Sequence, residues 1–557
     1  MNLINNNLLD KEKNLKIGED EIFLQINKKR RFYESKINGF LADLNISNAR
    51  PIWWAFNFTS KNPLSSDLFE KLMVVLAIID IIDNNPIKQI NFNNLTIGQR
   101  KIINEYFGLK PKYFVKNFYN FFYKNKFFQF LKIIYLLIEI FFTFLSFKNK
   151  ISKSNILLFT YIDGGKRNGK DTYFGNLLNK IIEDYPKKKV AYLFYLDRPY
   201  FKMKRDLSNE KANYNFIFKY LKLNDYAWSF IQVVKANFIL IKNSNFVFKN
   251  KNISLNEIVK ETMVMELSRG FLDNILVYSA SKRLRQAPEL ETIIYPFENK
   301  SLEKLLNLGL NDKVKTVGYQ HSSITPRHFC FIMNDKEINR TPLPDKVVTL
   351  GEITKRWLTD NCNFPSSMVI KGVALRNNFS KLLNKKSFSA EKANLLFVFS
   401  SSKYEIKQSI KIIKDILIDY SFNCRFRFHV NFPLKSLSKE NQKWVKSNID
   451  LVKKNTLLND FKWADITIYI SSTVALESLL CGIPIIRLNI DKFNSDPLLN
   501  KKVPFKWSAN SSTELVKSIY EISYLSDKDR KQRSIKGQIF ASSYMIPEKF
   551  LKTKIFL

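Results

Sequence analysis

The chain has 557 residues, and 89 Lys plus Arg against 51 Asp plus Glu give a formal charge of +38, with 45% apolar and 14% aromatic residues. At roughly 100 to 200 residues per domain this length predicts about three domains, and the apolar share excludes a disordered polycation. Four isolated cysteines (Cys330, Cys362, Cys424, Cys481), with no C-x-x-C and no Cys/His pair at zinc spacing, exclude a disulfide framework and a structural zinc site and point to a reducing compartment.

The first 25 residues have no basic stretch followed by an apolar core, so no signal peptide is expected and the protein is placed in the cytoplasm. Residues 1–150 are predicted to be mainly helical. "WWAFNFTSKNPLSS" is aromatic and then turn-rich, and "SSDLFEKLMVVLAIIDIID" opens with cap candidates Ser65 and Ser66 and keeps a helical apolar period. From Phe127 to Phe147, "FFQFLKIIYLLIEIFFTFLSF" is nominally as long as a membrane span. Its polar residues Gln129, Lys132, Glu139, Thr143 and Ser146 recur at spacings of 3, 7, 4 and 3, which lines them along one stripe. That pattern, with Lys116, Lys124 and Lys126 before it and Lys148 and Lys150 after it, describes a helix lying in an anionic bilayer interface, or else a core helix packed between domains or a true span that must insert a charge.

Beyond Lys150 short apolar runs alternate with amphipathic stretches. "NILLFTYID", "VAYLFYLD", "NILVYSA", "ETIIYPFE" and "KVKTVGYQH" are strand-like and define a unit over 151–341. A second series, "DKVVTLG", "SMVIKG", "NLLFVFS", "CRFRFHV", "ADITIYIS" and "GIPIIRL", defines a unit over 342–557 that ends in C-terminal helices. Such alternation implies mostly parallel sheets covered by helices, so the expected fold class is α/β: two Rossmann-like domains facing across a cleft, behind a mainly helical N-terminal region. Ligands of open α/β sheets bind at the carboxyl ends of strands, and residues just after the strands are the ones to examine.

Five strand ends qualify. In "IDGGKRNGKDT", Gly164, Gly169 and Lys170 satisfy G-x-x-x-x-G-K, but Asp171 stands where a phosphate loop needs Ser or Thr for Mg²⁺. This run is either a glycine turn or a strand tip that projects Asp163 into the cleft as a carboxylate base. Glu298 and His321 each follow a strand of the first unit, and His321 can serve as acid, base or phosphate ligand. In "ADITIYISSTVALESLLCGIPIIRL" a strand ends in Ser471, Ser472 and Thr473, hydroxyls at a helix start suited to a phosphate, with Glu477 one turn along to accept ribose hydroxyls. His429 ends a strand of the same unit, with Pro433 shortly after.

The run "SSTVALESLLCGIPII" resembles the sugar-nucleotide half of a GT-B glycosyltransferase. "WWAFNFTSKNPLSS", "YPFENKSLEKLL", "GYQHSS" and "LGEITKRWL" resemble a family of bacterial surface-carbohydrate biosynthesis proteins over most of the chain, which adds Gly318, Gly351 and Glu352 to the donor-binding candidates. More narrowly, Asp163-Gly164, His429 with Pro433, and Ser471-Ser472-Thr473 resemble three motifs of bacterial sialyltransferases and capsule Kdo transferases, which use CMP-sugars. The resemblance implies that the acidic-Gly motif supplies the base and that the His-Pro and Ser/Thr motifs hold the CMP phosphate. The chain departs from those motifs in carrying Ile162 at the first acidic position and in separating His429 from Pro433 by three residues.

What the resemblance implies is transfer of a sugar from a nucleotide donor to a surface polysaccharide or lipid-linked glycan, at the inner face of the cytoplasmic membrane. Asp163 is the expected base, with His321 and Glu298 as further catalytic candidates; Gly164 joins the donor contacts. No cofactor beyond the donor is expected, and no metal, since the only D-x-D, Asp527-Lys528-Asp529, lies in a polar stretch. Two other classes compete: a P-loop-type phosphotransferase acting through Gly164 to Lys170, and a non-catalytic assembly factor. The excess of Lys has no nucleic-acid-binding motif beside it, so nucleic acid is not an expected partner. Part of that excess reflects codon bias, visible in runs such as "KNFYNFFYKNKFFQF".

Overall fold

The computed structural model describes residues 18–63, 65–84, 95–108, 131, 134–138, 153–161, 171–195, 213–376, 387–399, 402–429, 432–451, 456–491 and 495–557. The N-terminal part is helical, as expected. Helices α1 (Glu19–Asn48), α2 (Pro51–Trp54), α3 (Leu68–Asn84) and α4 (Ile97–Tyr106) form a layer in which α1 packs along α3. Most positions of α3 are apolar, and Leu68, Leu72, Met73, Val75, Leu76, Ile78 and Ile79 are all buried. A helix apolar on every face is stable only inside a protein. Trp53, Phe56 and Phe58 stack with one another at 5.2–6.4 Å and join this layer to the rest of the core. Buried Asp80 on α3 accepts from Tyr33 Oη at 2.6 Å and Lys29 Nζ at 2.8 Å, which holds α1 in register.

Most of the stretch 127–147 lies outside the described residues. Of those described, Leu131 and Ile134 to Ile138 are helical; Leu136 is buried, and Leu131, Ile134, Tyr135, Leu137 and Ile138 are exposed. Among the described residues no helix is long and apolar enough to cross a membrane.

The first sheet contains β1 (Ile156–Tyr161), β2 (Val190–Tyr195), β3 (Tyr214–Phe216), β6 (Thr292–Pro296), β7 (Lys315–Tyr319), β8 (Lys346–Thr349) and β9 (Val369–Lys371) in the order β3-β2-β1-β6-β7-β8-β9, all parallel. A hairpin, β4 (Asn245–Phe248) with β5 (Lys251–Ser254), stands apart from it. The helices of this unit are α5 (Leu177–Asp184), α6 (Leu223–Ala236), α7 (Asn256–Glu266), which packs on α3 and α4, α8 (Arg269–Leu284), α9 (Ser301–Leu310) and α10 (Glu352–Asn361). Two expectations change. "NILVYSA" is not a strand but the centre of α8, where Ile275, Leu276 and Val277 are all buried; a short run buried on every side has no periodicity to tell helix from strand. The first sheet also does not stop at residue 341, because β8 and β9 pair onto β7 and bring "DKVVTLG" and "SMVIKG" into the first unit.

The second sheet runs β12 (Asp450–Leu451), β11 (Asn423–Arg427), β10 (Asn394–Val398), β13 (Ile466–Tyr469), β14 (Ile485–Leu488), β15 (Lys506–Ala509), again all parallel. Helices α11 (Lys403–Asp419), α12 (Lys439–Asn448), α13 (Leu457–Trp463), α14 (Val474–Leu480) and α15 (Ser512–Ser523) cover it. Counted within each sheet, with the hairpin set aside, both have the doubly wound order 3-2-1-4-5-6, the first with one strand more. Their switch points fall between β1 and β6 and between β10 and β13, where adjoining connections leave on opposite sides and a crevice opens.

The last long helix, α16 (Asp527–Tyr544), packs on α14, where Gln538 donates to the Leu480 carbonyl at 2.9 Å. The chain then returns to the first unit. Ile546 N donates to the Leu350 carbonyl, Ala374 N donates to the Ile546 carbonyl, and the wholly buried Phe556 ring lies 5.7 Å from Tyr319. Gly351 permits this passage: a Cβ there would stand 2.6 Å from the Ser543 and Tyr544 carbonyl oxygens.

Candidate functional site

The carboxyl ends of both sheets open into one cleft of about 670 Å³. From the first unit it receives Glu298 after β6, His321, Ser323, Arg327 and His328 after β7, and Arg376 after β9; from the second it receives Glu405, His429, Ser471, Ser472, Thr473 and Glu477. The chain has only three histidines, and all three line this space.

Strand β7 delivers His321, which is buried. Its Nε2 stands 3.4 Å from Glu298 Oε1, and its ring meets the edge of Tyr173 with centroids 4.8 Å apart. Burial pushes the imidazole down to about 4 against the opposing pull of Glu298, and the cations Arg376 and Lys300 add to the lowering. His321 is therefore neutral at pH 7 and able to take a proton. Burial alone would raise Glu298, but an ion pair with Lys300 and the nearby His321 outweigh it and hold the carboxyl at about 2. The Glu298 turn is itself fixed by Glu303, whose carboxylate accepts from the backbone N–H of Glu298 at 3.0 Å and of Lys300 at 3.3 Å.

The run that precedes Tyr173 is settled in part. Asp163, Gly164, Gly169 and Lys170 lie outside the described residues. Asp171 is buried and its carboxylate accepts from Thr160 Oγ1 at 3.0 Å and from the backbone N–H of Tyr173 at 2.7 Å and Phe174 at 2.9 Å. It closes a turn that ends at Gly175, where φ is +53° and a Cβ would stand 2.1 Å from the Leu375 carbonyl oxygen. Asp171 thus shapes the backbone that carries Tyr173 to His321.

Opposite, β13 ends at Tyr469 and the next turn presents three hydroxyls. Ser471 Oγ donates to Glu405 Oε2 at 2.7 Å, Ser472 Oγ accepts from Val474 N at 3.3 Å, and Thr473 Oγ1 lies 2.7 Å from Ser323 Oγ of the first unit. The helix start is less open than the sequence suggested, because Ala475 N also bonds back to the Ser472 carbonyl. Glu477 does not close a capping box but faces the cleft. Burial raises its carboxyl to about 7, with Arg376 and Arg427 opposing the rise. His429 joins from the end of β11, lowered by burial, and His328 from the first unit, where its Nδ1 accepts from Thr325 N at 2.8 Å. That bond leaves Nε2 of His328 as the donor in the neutral ring.

Four expected donor contacts fall elsewhere. Gly318 is inside β7 against the Phe297 side chain, where a Cβ would come within 2.9 Å. Gly351 admits the C-terminal helix, Glu352 pairs with Arg356 on α10 at 2.9 Å, and Pro433 precedes a short turn at Leu434–Ser436; none of them lines the cleft. In exchange the cleft holds residues that sequence reasoning missed. Glu405 follows Ser402 in an S-x-x-E pattern that marks a helix start, and "SSITPRH" directly after His321 supplies Ser323, Arg327 and His328. Among the described residues no group of three His, Cys, Asp or Glu forms a metal site, and all four cysteines are free and buried.

No protein-family profile matches the chain, and no curated protein matches it in sequence. In three dimensions it is similar to Anabaena HepE in complex with UDP-glucose (12% identity, TM-score 0.40, 72% of this chain and 96% of that one). It is also similar to the lipopolysaccharide outer core galactosyltransferase WaaB (11%, 0.39, 70% and 95%). A UDP-GlcNAc 2-epimerase from Neisseria meningitidis bound to UDP-GlcNAc overlaps to the same degree (12%, 0.41, 70% and 97%). With a transferase and an epimerase equally near, the neighbours assign no reaction to this chain.

Proposed function

We propose that the protein is a glycosyltransferase that moves a sugar from a nucleotide donor to a surface polysaccharide or lipid-linked glycan at the anionic inner face of the cytoplasmic membrane. One observation carries this reading: the hydroxyls of Ser471 to Thr473 and the carboxyl of Glu477, beside the switch point of the second sheet, and the neutral His321, at the end of β7, converge on one cleft. The exposed apolar side chains between Leu131 and Ile138 support the membrane contact.

In this reading Ser471, Ser472, Thr473 and His429 hold the donor phosphate and Glu477 the ribose. The acceptor hydroxyl loses its proton to the His321 imidazole as its oxygen bonds to the anomeric carbon, and the bond from that carbon to the phosphate oxygen breaks. Glu298 stabilises the imidazolium so formed, and the leaving phosphate meets Arg376 and Arg327. Asp163, the base implied by the family resemblance, remains the competing base. A CMP donor, and with it a sialic-acid-like or Kdo-like sugar, follows from the same resemblance.

The test is a thermal-shift screen of CMP, UDP, GDP and dTDP. One nucleotide should raise the melting temperature, and Ser472→Ala should abolish the rise. No response to any of the four would count against the enzyme reading and favour an assembly factor.

A further inference from the structure

Helix α6 has its buried side against α8: Tyr226, Ser229, Val233 and Ala236 are buried, and the bidentate pair Asp225–Arg283 fixes the contact at 3.1 Å. The side turned away from α8 should be polar if it met only water. It is not. Leu223, Ala227, Ile231 and Val234 fall within about 80° of the helix circumference, and Phe230 beside them packs against the core. Leu223 and Ile231 are 65% and 47% exposed, and no polar residue interrupts the stripe.

The loop that follows continues it. Phe238 and Leu240 are 78% and 82% exposed, among the highest values for large apolar side chains among the described residues. Charge around the stripe has one sign. Between Ile217 and Asn243 the chain carries Lys219, Lys222, Lys235 and Lys242 but a single acid, Asp225, which Arg283 already neutralises. Lys222, Lys235 and Lys242 are exposed. A protein partner would need its own shape to match this face, whereas an anionic bilayer needs only an apolar stripe with protruding side chains and lysines at its border.

The geometry points to α6 and the loop through Leu240 as a docking surface for an anionic lipid bilayer. Phe238 and Leu240 enter the acyl region and Lys222, Lys235 and Lys242 meet the phosphates. This surface is separate in sequence from the stretch 127–147, and the inference stands whatever reaction the cleft performs.

Sedimentation with vesicles tests it without any substrate. The full-length protein should bind vesicles of 70% phosphatidylcholine and 30% phosphatidylglycerol and bind pure phosphatidylcholine at least fivefold less. The combined variant Ile231→Ser, Phe238→Ser, Leu240→Ser should lose at least tenfold in partitioning while keeping its circular dichroism and melting temperature. Because the four native cysteines are buried, a second measurement uses an environment-sensitive dye at Leu240→Cys. Its emission should shift blue on the anionic vesicles, and the same dye at Asn448→Cys on α12 should not. Vesicle binding unchanged in the triple serine variant, equal shifts at both dye positions, or a wild-type dimer in solution that the variant dissociates would each overturn the assignment.

Discussion

Thr473 Oγ1 and Ser323 Oγ meet at 2.7 Å, a hydrogen bond that joins the hydroxyl turn of the second unit to the histidine loop of the first across the cleft. A hydroxyl can accept one bond and donate another, so Thr473 can bond Ser323 and still donate to a phosphate. Ser323→Ala removes one partner, and a typical net hydrogen bond contributes about 1 kcal/mol. The expected result is a loss of about fivefold in nucleotide affinity by isothermal titration, against a larger loss for Thr473→Ala. An unchanged affinity in Ser323→Ala would mean that the bond is not kept when nucleotide is bound.

His321 is held at about 4 and is the acceptor of the proton in the proposed reaction. His321→Gln should lower kcat by about 10² to 10⁴ with little change in nucleotide affinity, the usual contribution of a general base. The pH dependence follows from the sign of the shift. The neutral ring persists above about pH 4, so the rate should stay level from pH 7 to near pH 5 and fall below it. Glu298 raises the ring's pKa, so Glu298→Gln should carry the acid limb to still lower pH. A limb that stays near pH 6.5 in both forms would assign the proton to another group.

Glu477 is half ionised near neutrality because burial raises it to about 7. A carboxylate accepts hydrogen bonds with both oxygens, whereas the protonated acid gives up one of its acceptors. If Glu477 holds ribose hydroxyls, nucleotide affinity should increase from pH 6 to pH 8, and Glu477→Gln should flatten that dependence while binding at least threefold more weakly at pH 8. Titration calorimetry at the two pH values distinguishes the cases.

Lys304 on α9 is buried, donates to the Thr59 carbonyl at 2.9 Å and stands 4.9 Å over the Trp54 ring. Burial lowers its ammonium to about 7, well below its unfolded value. Between pH 7 and pH 10 the unfolded chain holds the extra proton, so this residue makes the fold more stable as pH rises. Urea unfolding of the wild type and Lys304→Met at pH 7 and pH 9 should show the gap widening in favour of the wild type, by up to about 2 kcal/mol.

The fold was legible where strands were short, apolar and bounded by Gly, Pro or Asp, as at Ile156–Tyr161 and Ile466–Tyr469. It was not legible at Asn274 to Ala280, where burial on every side erases the period, nor at the edge of the first sheet, because β8 and β9 are written like the strands that follow them. One rule, that ligands collect at strand ends, pointed to Glu298, His321, His429 and the hydroxyls Ser471 to Thr473, which line the cleft. Gly318 and Gly351 came from the family resemblance, and the structure puts them against Phe297 and the C-terminal helix, away from the cleft. Arg376 was missed because it follows β9, which reads in sequence as a strand of the second unit and pairs instead onto the first sheet.

The return of the chain after Tyr544 also governs how the protein can be recombined. Since Ile546 is hydrogen-bonded to Leu350 and Ala374, and Phe556 is buried beside Tyr319, the last dozen residues belong to the body of the first unit. A chimera that exchanges the second unit for another must therefore be joined twice, between Arg376 and Phe388 and again just after Tyr544. A single crossover would leave the incoming tail to find a groove it was not shaped to fill.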